Sequence, residues 1–322
     1  MIKKSTPHQK SAGPGAKLIV ILGPTASGKT GLSLKLAKKF KGEIVNADSR
    51  QIYKYMDIAT AKEPGTWKNH KYYINGVAHH LIDFVEPNKE YTLAQFQTDA
   101  VKKIKEIQNR GKTPFLVGGT GLYISSVVDN YLIPKGKPNK KLRAKLEKEL
   151  KEKGLEYLWH KLIQKDPGAQ EVVDKYNPRR VIRALEVVLG TGKPFSQLRL
   201  KREPIFDILQ IGIRVGKRDL EKRVNQRAEK MVMQGLLDET RNLLKKGYKA
   251  NLPSMSGIGY KEAIQYFLGQ ISFDQMKDLI KQNTRRYAKR QMTWFKKDKR
   301  IIWIRDYHKA ERAVKKFLVH SL

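Results

Sequence analysis

The chain has 322 residues, no cysteine, 40% apolar residues, and 66 lysines and arginines against 31 acidic residues, a formal charge of +35. These values exclude a disulfide framework and thiolate metal sites, and they leave enough apolar material for the core of one large or two modest domains. No apolar run approaches the ~20 residues that span a bilayer, so a cytoplasmic protein without membrane contact is expected. A lysine-rich proteome would raise the charge too, but a field of this size attracts polyanions, and nucleic acid is the expected partner.

Residues 1–16, rich in Lys, Ser, Pro and Gly, read as a flexible basic leader. Lys17–Leu22 (KLIVIL) then predicts a strand ending at Gly23, and Thr30–Phe40 a helix with Leu32, Leu34, Leu36, Ala37 and Phe40 on its apolar face. Strand, glycine turn and helix open a parallel α/β sheet. Glu43–Ala47 predicts a second strand, Leu93–Arg110 a helix stopped by Gly111, and Thr113–Val117 a third strand. After about Asp129 the chain turns strand-free and charge-rich, with helices predicted over Asn139–Gly154, Leu155–Gln164 and Arg179–Leu189 between prolines. This segment, 130–194, is read as an all-helical insertion domain within a core formed by 17–129 and 195–322. Ile208–Val215 returns to the sheet, followed by helices at Arg218–Lys246, Tyr260–Leu268 and Phe273–Lys296, and by a strand at Arg300–Ile304. The fold class is thus α/β, a P-loop NTPase-like parallel sheet flanked by helices, with a helical insertion.

Gly23-Pro24-Thr25-Ala26-Ser27-Gly28-Lys29-Thr30 satisfies the P-loop pattern in full, between the strand and helix it requires. Backbone N–H groups converge on phosphate oxygens, the helix N-terminus adds positive potential, Lys29 supplies a point charge, and Thr30 a hydroxyl for Mg²⁺. A P-loop ATPase pairs this loop with an aspartate on a hydrophobic strand. Here the third strand ends instead in Val117-Gly118-Gly119-Thr120-Gly121. The strand-terminal acid is Asp48, in Asn46-Ala47-Asp48-Ser49-Arg50-Gln51. It is placed beside the P-loop at the carboxyl edge of the sheet, as metal holder or general base, with a helix N-cap as the alternative.

Other features leave two readings open. Gly118-Gly119-Thr120-Gly121 admits close approach of a ligand or simply connects elements. Leu220, Val224, Ala228 and Met231 form an apolar stripe, with Arg223 and Arg227 four apart beside it, either clamping a phosphate or solvated. Thr284–Lys296 interleaves cations with Tyr287, Trp294 and Phe295, which suits stacked bases in single-stranded RNA or an amphipathic core helix. His79 and His80 are expected to pack structurally rather than bind metal.

The chain resembles the tRNA dimethylallyltransferase (tRNA isopentenyltransferase) family from about Leu18 to Lys296. The resemblance rests on GPTASGKT at Gly23–Thr30, DSRQIYK at Asp48–Lys54, DIATAKEP at Asp57–Pro64 and HHLIDFVEP at His79–Pro87. It continues through VGGTGLYI at Val117–Ile124, NPRRVIRALEV at Asn177–Val187 and TRRYAKRQMTWFK at Thr284–Lys296. It implies transfer of a dimethylallyl group from its diphosphate to N6 of an adenine next to the anticodon. The P-loop and Mg²⁺ at Thr30 would then hold a leaving diphosphate, and no strand-borne acid would be needed to cleave a γ-phosphate. The resemblance further implies catalytic roles for Lys29, for Asp48 as base, for Thr120 near the amine, and for an arginine of the Arg218 helix, Arg223 by preference and Arg227 second. It sets Asp48, Ser49, Arg50, Gln51 and Thr120, together with Arg143, Arg179, Arg180, Val181, Ile182 and Arg183, against tRNA, with the helical insertion clasping the anticodon stem of a substrate bound to a monomer. The target base must leave its stack to react, and a tunnel open at both ends would admit the two substrates from opposite sides. The sequence departs from eukaryotic relatives in lacking a cysteine–histidine finger after Lys296. An adenylate isopentenyltransferase acting on free AMP, ADP or ATP, a P-loop small-molecule kinase, and a non-enzymatic RNA-binding protein are the rival readings.

Overall fold

The computed structural model describes residues 16–133, 139–199 and 201–319; most of the expected leader lies outside them. In chain order the elements begin β1 (Lys17–Leu22), α1 (Lys29–Lys39), β2 (Gly42–Asn46), β3 (Thr66–Lys68), β4 (Lys71–Ile74), β5 (Val77–His80), α2 (Leu93–Asn109), β6 (Thr113–Gly118) and α3 (Gly121–Val128). They continue with α4 (Lys140–Lys165), α5 (Ala169–Val172), α6 (Pro178–Thr191), β7 (Asp207–Ile213), α7 (Lys217–Met233), α8 (Leu236–Lys245), α9 (Tyr260–Phe267), α10 (Phe273–Phe295), β8 (Ile302–Ile304) and α11 (Tyr307–Val319).

One eight-stranded sheet runs in the order β3-β4-β5-β2-β6-β1-β7-β8. Its members from β5 to β8 are parallel, while β3 and β4 add an antiparallel edge. The central strand β1 is buried from Leu18 to Leu22, as a parallel strand covered on both faces must be. Ile19 and Ile21 pack on one face with Leu36 of α1 and Val314 of α11. Leu18, Val20 and Leu22 pack on the other with Phe96 and Ile104 of α2 and Ile124 of α3. A third core joins Ile52 and Met56 to Met231 of α7, Leu243 of α8, Tyr260 of α9 and Ile280 of α10.

Six elements, β3, β4, β5, α3, α5 and α11, go beyond the expectations from sequence. The edge strands β3 and β4 are short, but the turn between β4 and β5 is Asn75-Gly76 with φ 48° and 79°, a pair of residues that favours a tight hairpin. Helix α3 is hidden behind the glycine loop. Helix α11 buries Ala310 and Val314, four apart, beneath a charged exterior. The single helix expected over 218–246 divides at Gly235 (φ 94°), because a left-handed residue ends α7 and starts α8 afresh.

The described residues form two compact units, Asp129–Glu203 and the remainder. The first of these is helical around its own core of Leu146, Leu158, Leu162, Val181 and Leu185. It runs past the expected end at 194 because Asn130 and Tyr131 bind the returning chain. Asn130 Nδ2 donates to Glu203 O at 2.8 Å, and Tyr131 bridges Lys201. Within it, Gly154 (φ 80°) kinks α4, and Asn177 caps α6 ahead of Pro178, through a hydrogen bond accepted from Arg180 N.

Two ionic clusters fix the sheet edge. Glu43 of β2 is buried with His80 Nε2 and Arg110 Nη2 at 2.7 Å and Lys112 Nζ at 2.8 Å. Burial pushes its carboxyl up, but the hydrogen bonds from His80 and Lys112 outweigh this and hold it well below the usual carboxylate range. Lys62, also buried, donates to Tyr53 O, Asp57 Oδ1 and Asp83 Oδ1 at 2.6–2.7 Å, joining the Asp57–Pro64 and His79–Pro87 segments. His79 Nδ1 donates to Val77 O at 2.9 Å, and burial lowers its pKa to about 4. Both histidines therefore serve packing, and no cluster of metal-ligating side chains occurs among the described residues.

Candidate active site

The P-loop leaves β1 at Gly23 and enters α1 through Gly28, whose φ of 91° is a left-handed conformation that costs glycine little. Ala26 also takes a positive φ, and Lys29 Nζ folds back to donate to Pro24 O at 2.6 Å. Lys29 is reached by solvent, yet its ammonium is densely surrounded. Burial, only partly offset by Asp48, lowers its pKa to about 8. Ser27 Oγ is buried without a hydrogen-bond partner. A glycine loop entering a helix N-terminus, with a lysine ammonium beside it and a buried hydroxyl at Ser27 that lacks a partner, is what an anion would complete.

Asp48 follows the end of β2, and its Oδ1 accepts from Arg50 N at 2.9 Å. This is an Asx turn in a loop, so the helix N-cap alternative falls away. Thr120 follows β6. Its Oγ1 accepts from Ser49 N at 3.0 Å and donates to Ser49 Oγ at 3.3 Å, so the Asp48 loop and the Gly118–Gly121 loop are tied together. The glycines of the second loop make room for protein: a Cβ on Gly118 would lie 2.2 Å from Ala47 O, and one on Gly121 2.4 Å from Trp294 Cδ1. At Gly118 and Gly121 the close approach is made by the protein itself, by Ala47 just past β2 and by Trp294 of α10.

Arg50 Nη1 donates to Pro253 O at 2.7 Å, and Gln51 Nε2 to Thr60 O and Ala61 O. Both side chains are half-buried and donate to backbone carbonyls of the protein itself. The two α7 arginines differ in their surroundings. Arg223 is exposed, whereas Arg227, one turn further on, sends Nη1 to Thr25 Oγ1 at 2.8 Å. Arg227 Nε is buried without a partner, and burial lowers its pKa despite the pull of Asp48.

Thr25, Asp48, Ser49, Arg50, Thr120 and Arg227 all line one cavity of about 360 Å³. Its lining also includes the apolar and aromatic side chains of Tyr53, Met56, Met231, Ile258, Tyr260 and Tyr287. Burial and Asp48 push the Tyr287 phenol up to about 12. Helix α10 thus divides its faces: Tyr287 and Arg290 face the cavity, while Phe295 is core and Trp294 donates to Ser125 Oγ. Phe295 and Trp294 thus follow the amphipathic reading of that segment, while Tyr287 and Arg290 line the cavity.

In the helical unit, Arg179 and Arg180 are exposed at the start of α6. Arg183 Nη1 and Arg143 Nη2 lie 3.0 and 3.5 Å from the buried Glu186 carboxylate. Val181 and Ile182 are core residues at 0% and 5% exposure, so their side chains pack within the helical unit.

Fold and site define a P-loop α/β protein that brings an anion-binding loop, a carboxylate and a buried guanidinium to one cavity. The IPP transferase family model matches residues 51–298, and this chain belongs to that family. It is 46% identical to the tRNA dimethylallyltransferase of Carboxydothermus hydrogenoformans over 291 residues, covering 89% of this chain and 91% of that protein. With the tRNA dimethylallyltransferase of Acetivibrio thermocellus it shares 44% identity, over 92% and 95% of the two chains. Among solved structures it is similar to the tRNA isopentenylpyrophosphate transferase of Bacillus halodurans, at 38% identity and TM-score 0.67 over 94% and 95%. A eukaryotic dimethylallyltransferase acting on tRNA matches at 28% identity and TM-score 0.71 over 94% and 78%.

Proposed function

We propose that this chain transfers a dimethylallyl group from dimethylallyl diphosphate to N6 of an adenine next to the anticodon of tRNA, releasing diphosphate. The observation that carries this reading is the single cavity in which Asp48 faces the P-loop's Thr25 and the partly unpartnered Arg227. The P-loop from Gly23 to Thr30 holds the diphosphate through its amides and Lys29. Arg227, together with Lys29, neutralises the charge that grows on the leaving group as the allylic C–O bond breaks. The apolar part of the lining suits the five-carbon tail. Asp48 accepts the N6 proton as the new C–N bond forms, and Thr120 positions the amine.

Mg²⁺ fits the donor set. It keeps waters and takes phosphate oxygens rather than an all-protein cage, so the Thr30 hydroxyl on the first turn of α1 is the protein contact it needs. When bound it would add charge stabilisation to the diphosphate. Arg143, Arg179, Arg180 and Arg183 of the helical unit are assigned to the anticodon-stem phosphates. One chain carries every residue the reaction uses, so a monomer suffices, and tRNA as substrate places it in the cytoplasm. Among the described residues no helix is long and apolar enough to cross a membrane.

Labelled dimethylallyl diphosphate incubated with unmodified tRNA, with AMP, and with ATP separates the rivals. Label is expected in tRNA; label in AMP alone, or turnover of ATP without prenyl transfer, sinks the reading. A second expectation concerns pH. Lys29 has a pKa of about 8 in the free protein, so its charge is present below that pH and lost above it. Affinity for inorganic diphosphate should be level up to about pH 7.5 and then fall, by up to about tenfold per pH unit. Titration calorimetry between about pH 7 and 9.5 measures this, and Lys29→Met should abolish the decline.

A further inference from the structure

Gln291 lies near the C-terminal end of α10 and is 5% exposed. Its side chain reaches two loops far away in sequence. Oε1 accepts from Thr25 N of the P-loop at 2.8 Å, and Nε2 donates to Gly119 O of the second glycine loop at 2.8 Å. Thr25 Oγ1 in turn accepts from Arg227 Nη1. A continuous chain of hydrogen bonds therefore runs Gly119–Gln291–Thr25–Arg227, through the glycine loop, α10, the P-loop and α7. A carboxamide satisfies both loops at once, since one end must accept an N–H and the other must donate to a carbonyl. Gly119 admits it: a Cβ there would lie 2.4 Å from Nε2.

We propose that Gln291 is a positioning residue, setting the P-loop backbone at Thr25 against Gly119-Thr120 so that leaving group and acceptor amine are held at a fixed separation. Gln291 is not among the residues lining the cavity. The inference rests on the proposed function for the identity of the acceptor, and its diphosphate arm stands apart from that identity. Without Gln291 the buried Thr25 N–H and Gly119 C=O lose their partner, and the two loops are free to drift. A drift of an ångström between reacting groups is enough to cost on the order of a hundredfold in rate.

The test uses two variants of the full chain. Gln291→Met keeps the volume and removes both hydrogen bonds. It is expected to bind inorganic diphosphate about tenfold more weakly and to turn over about a hundredfold more slowly, with tRNA affinity within about twofold of wild type. Gln291→Glu as a carboxylate can accept from Thr25 but repels Gly119 O, whereas its protonated form is an isostere of glutamine. Its deficit in diphosphate affinity, normalised to wild type, should therefore shrink as the pH falls from about 8 to about 5.5. A folded Gln291→Met protein with wild-type diphosphate affinity overturns the proposal, as does a Gln291→Glu deficit that is flat with pH. Should Gln291→Met fail to fold, the pH response of Gln291→Glu decides alone. Wild-type protein that binds diphosphate but modifies no tRNA would sink the proposed function instead, leaving the diphosphate result for Gln291 intact.

Discussion

Asp48→Asn should lower the single-turnover rate of prenyl transfer by about 10²- to 10⁴-fold, the range of a positioned general base, while tRNA and diphosphate affinities stay within a few-fold. The reason is that the adenine N6 is a weak nucleophile whose lone pair is delocalised into the ring. As the C–N bond forms, its proton must leave for a nearby base. Asp48 is the carboxylate among the residues lining the cavity, and its hydrogen bond within the protein is the one Oδ1 accepts from Arg50 N. Asparagine can accept that same bond, so the Asx turn and the loop through Gln51 should survive. The substitution isolates proton acceptance from folding, which Asp48→Ala would not. Circular dichroism confirms the fold, and rapid-quench measurement at saturating tRNA gives the rate. A rate within about tenfold of wild type would remove Asp48 from the role of base.

Sequence reading reached those parts of the site whose physics is local. A P-loop must place its glycines, lysine and hydroxyl at set spacing in one contiguous segment, so Gly23–Thr30 was visible as a unit. Asp48 and Thr120 were visible because both follow strands, and carboxyl ends of parallel strands converge at one sheet edge. Contacts between segments were not visible. Arg223 and Arg227 share a helical face, and which of them meets Thr25 depends on the height of α7 against the P-loop, a tertiary fact. Gln291 stood in a segment read for its cations and aromatics, and its part depends on positions 25, 119 and 291 meeting in space. The missed hairpin differs in kind, for Asn75-Gly76 between apolar strands is a local signal that was open to reading. Val181 and Ile182 show the opposite hazard: a motif assigned to RNA contains the apolar positions that anchor its own helix.

Arg227→Met should reduce kcat/KM for prenyl transfer by about 10²- to 10³-fold, the usual effect of removing one preorganised group at a developing negative charge, while Arg223→Gln stays within about threefold. Arg227 lines the cavity, with Nη1 on Thr25 Oγ1 and Nε buried and unpartnered. A guanidinium held in this way cannot be optimal for the empty protein: burial disfavours its charge, and only a bound anion would complete its donors. Preorganisation of this kind favours the transition state at the expense of the free fold. Arg227→Met should therefore lose activity without losing stability, its thermal midpoint unchanged or higher, since methionine fills much of the same volume without a buried charge. Arg223, exposed on the preceding turn of α7, has no such conflict, and its removal should move neither quantity. Steady-state kinetics beside thermal unfolding of the two variants reads both effects. A large loss in Arg223→Gln with little in Arg227→Met would restore the original preference, and an Arg227→Met protein that is inactive because it unfolds would show that the guanidinium serves the fold rather than the leaving group.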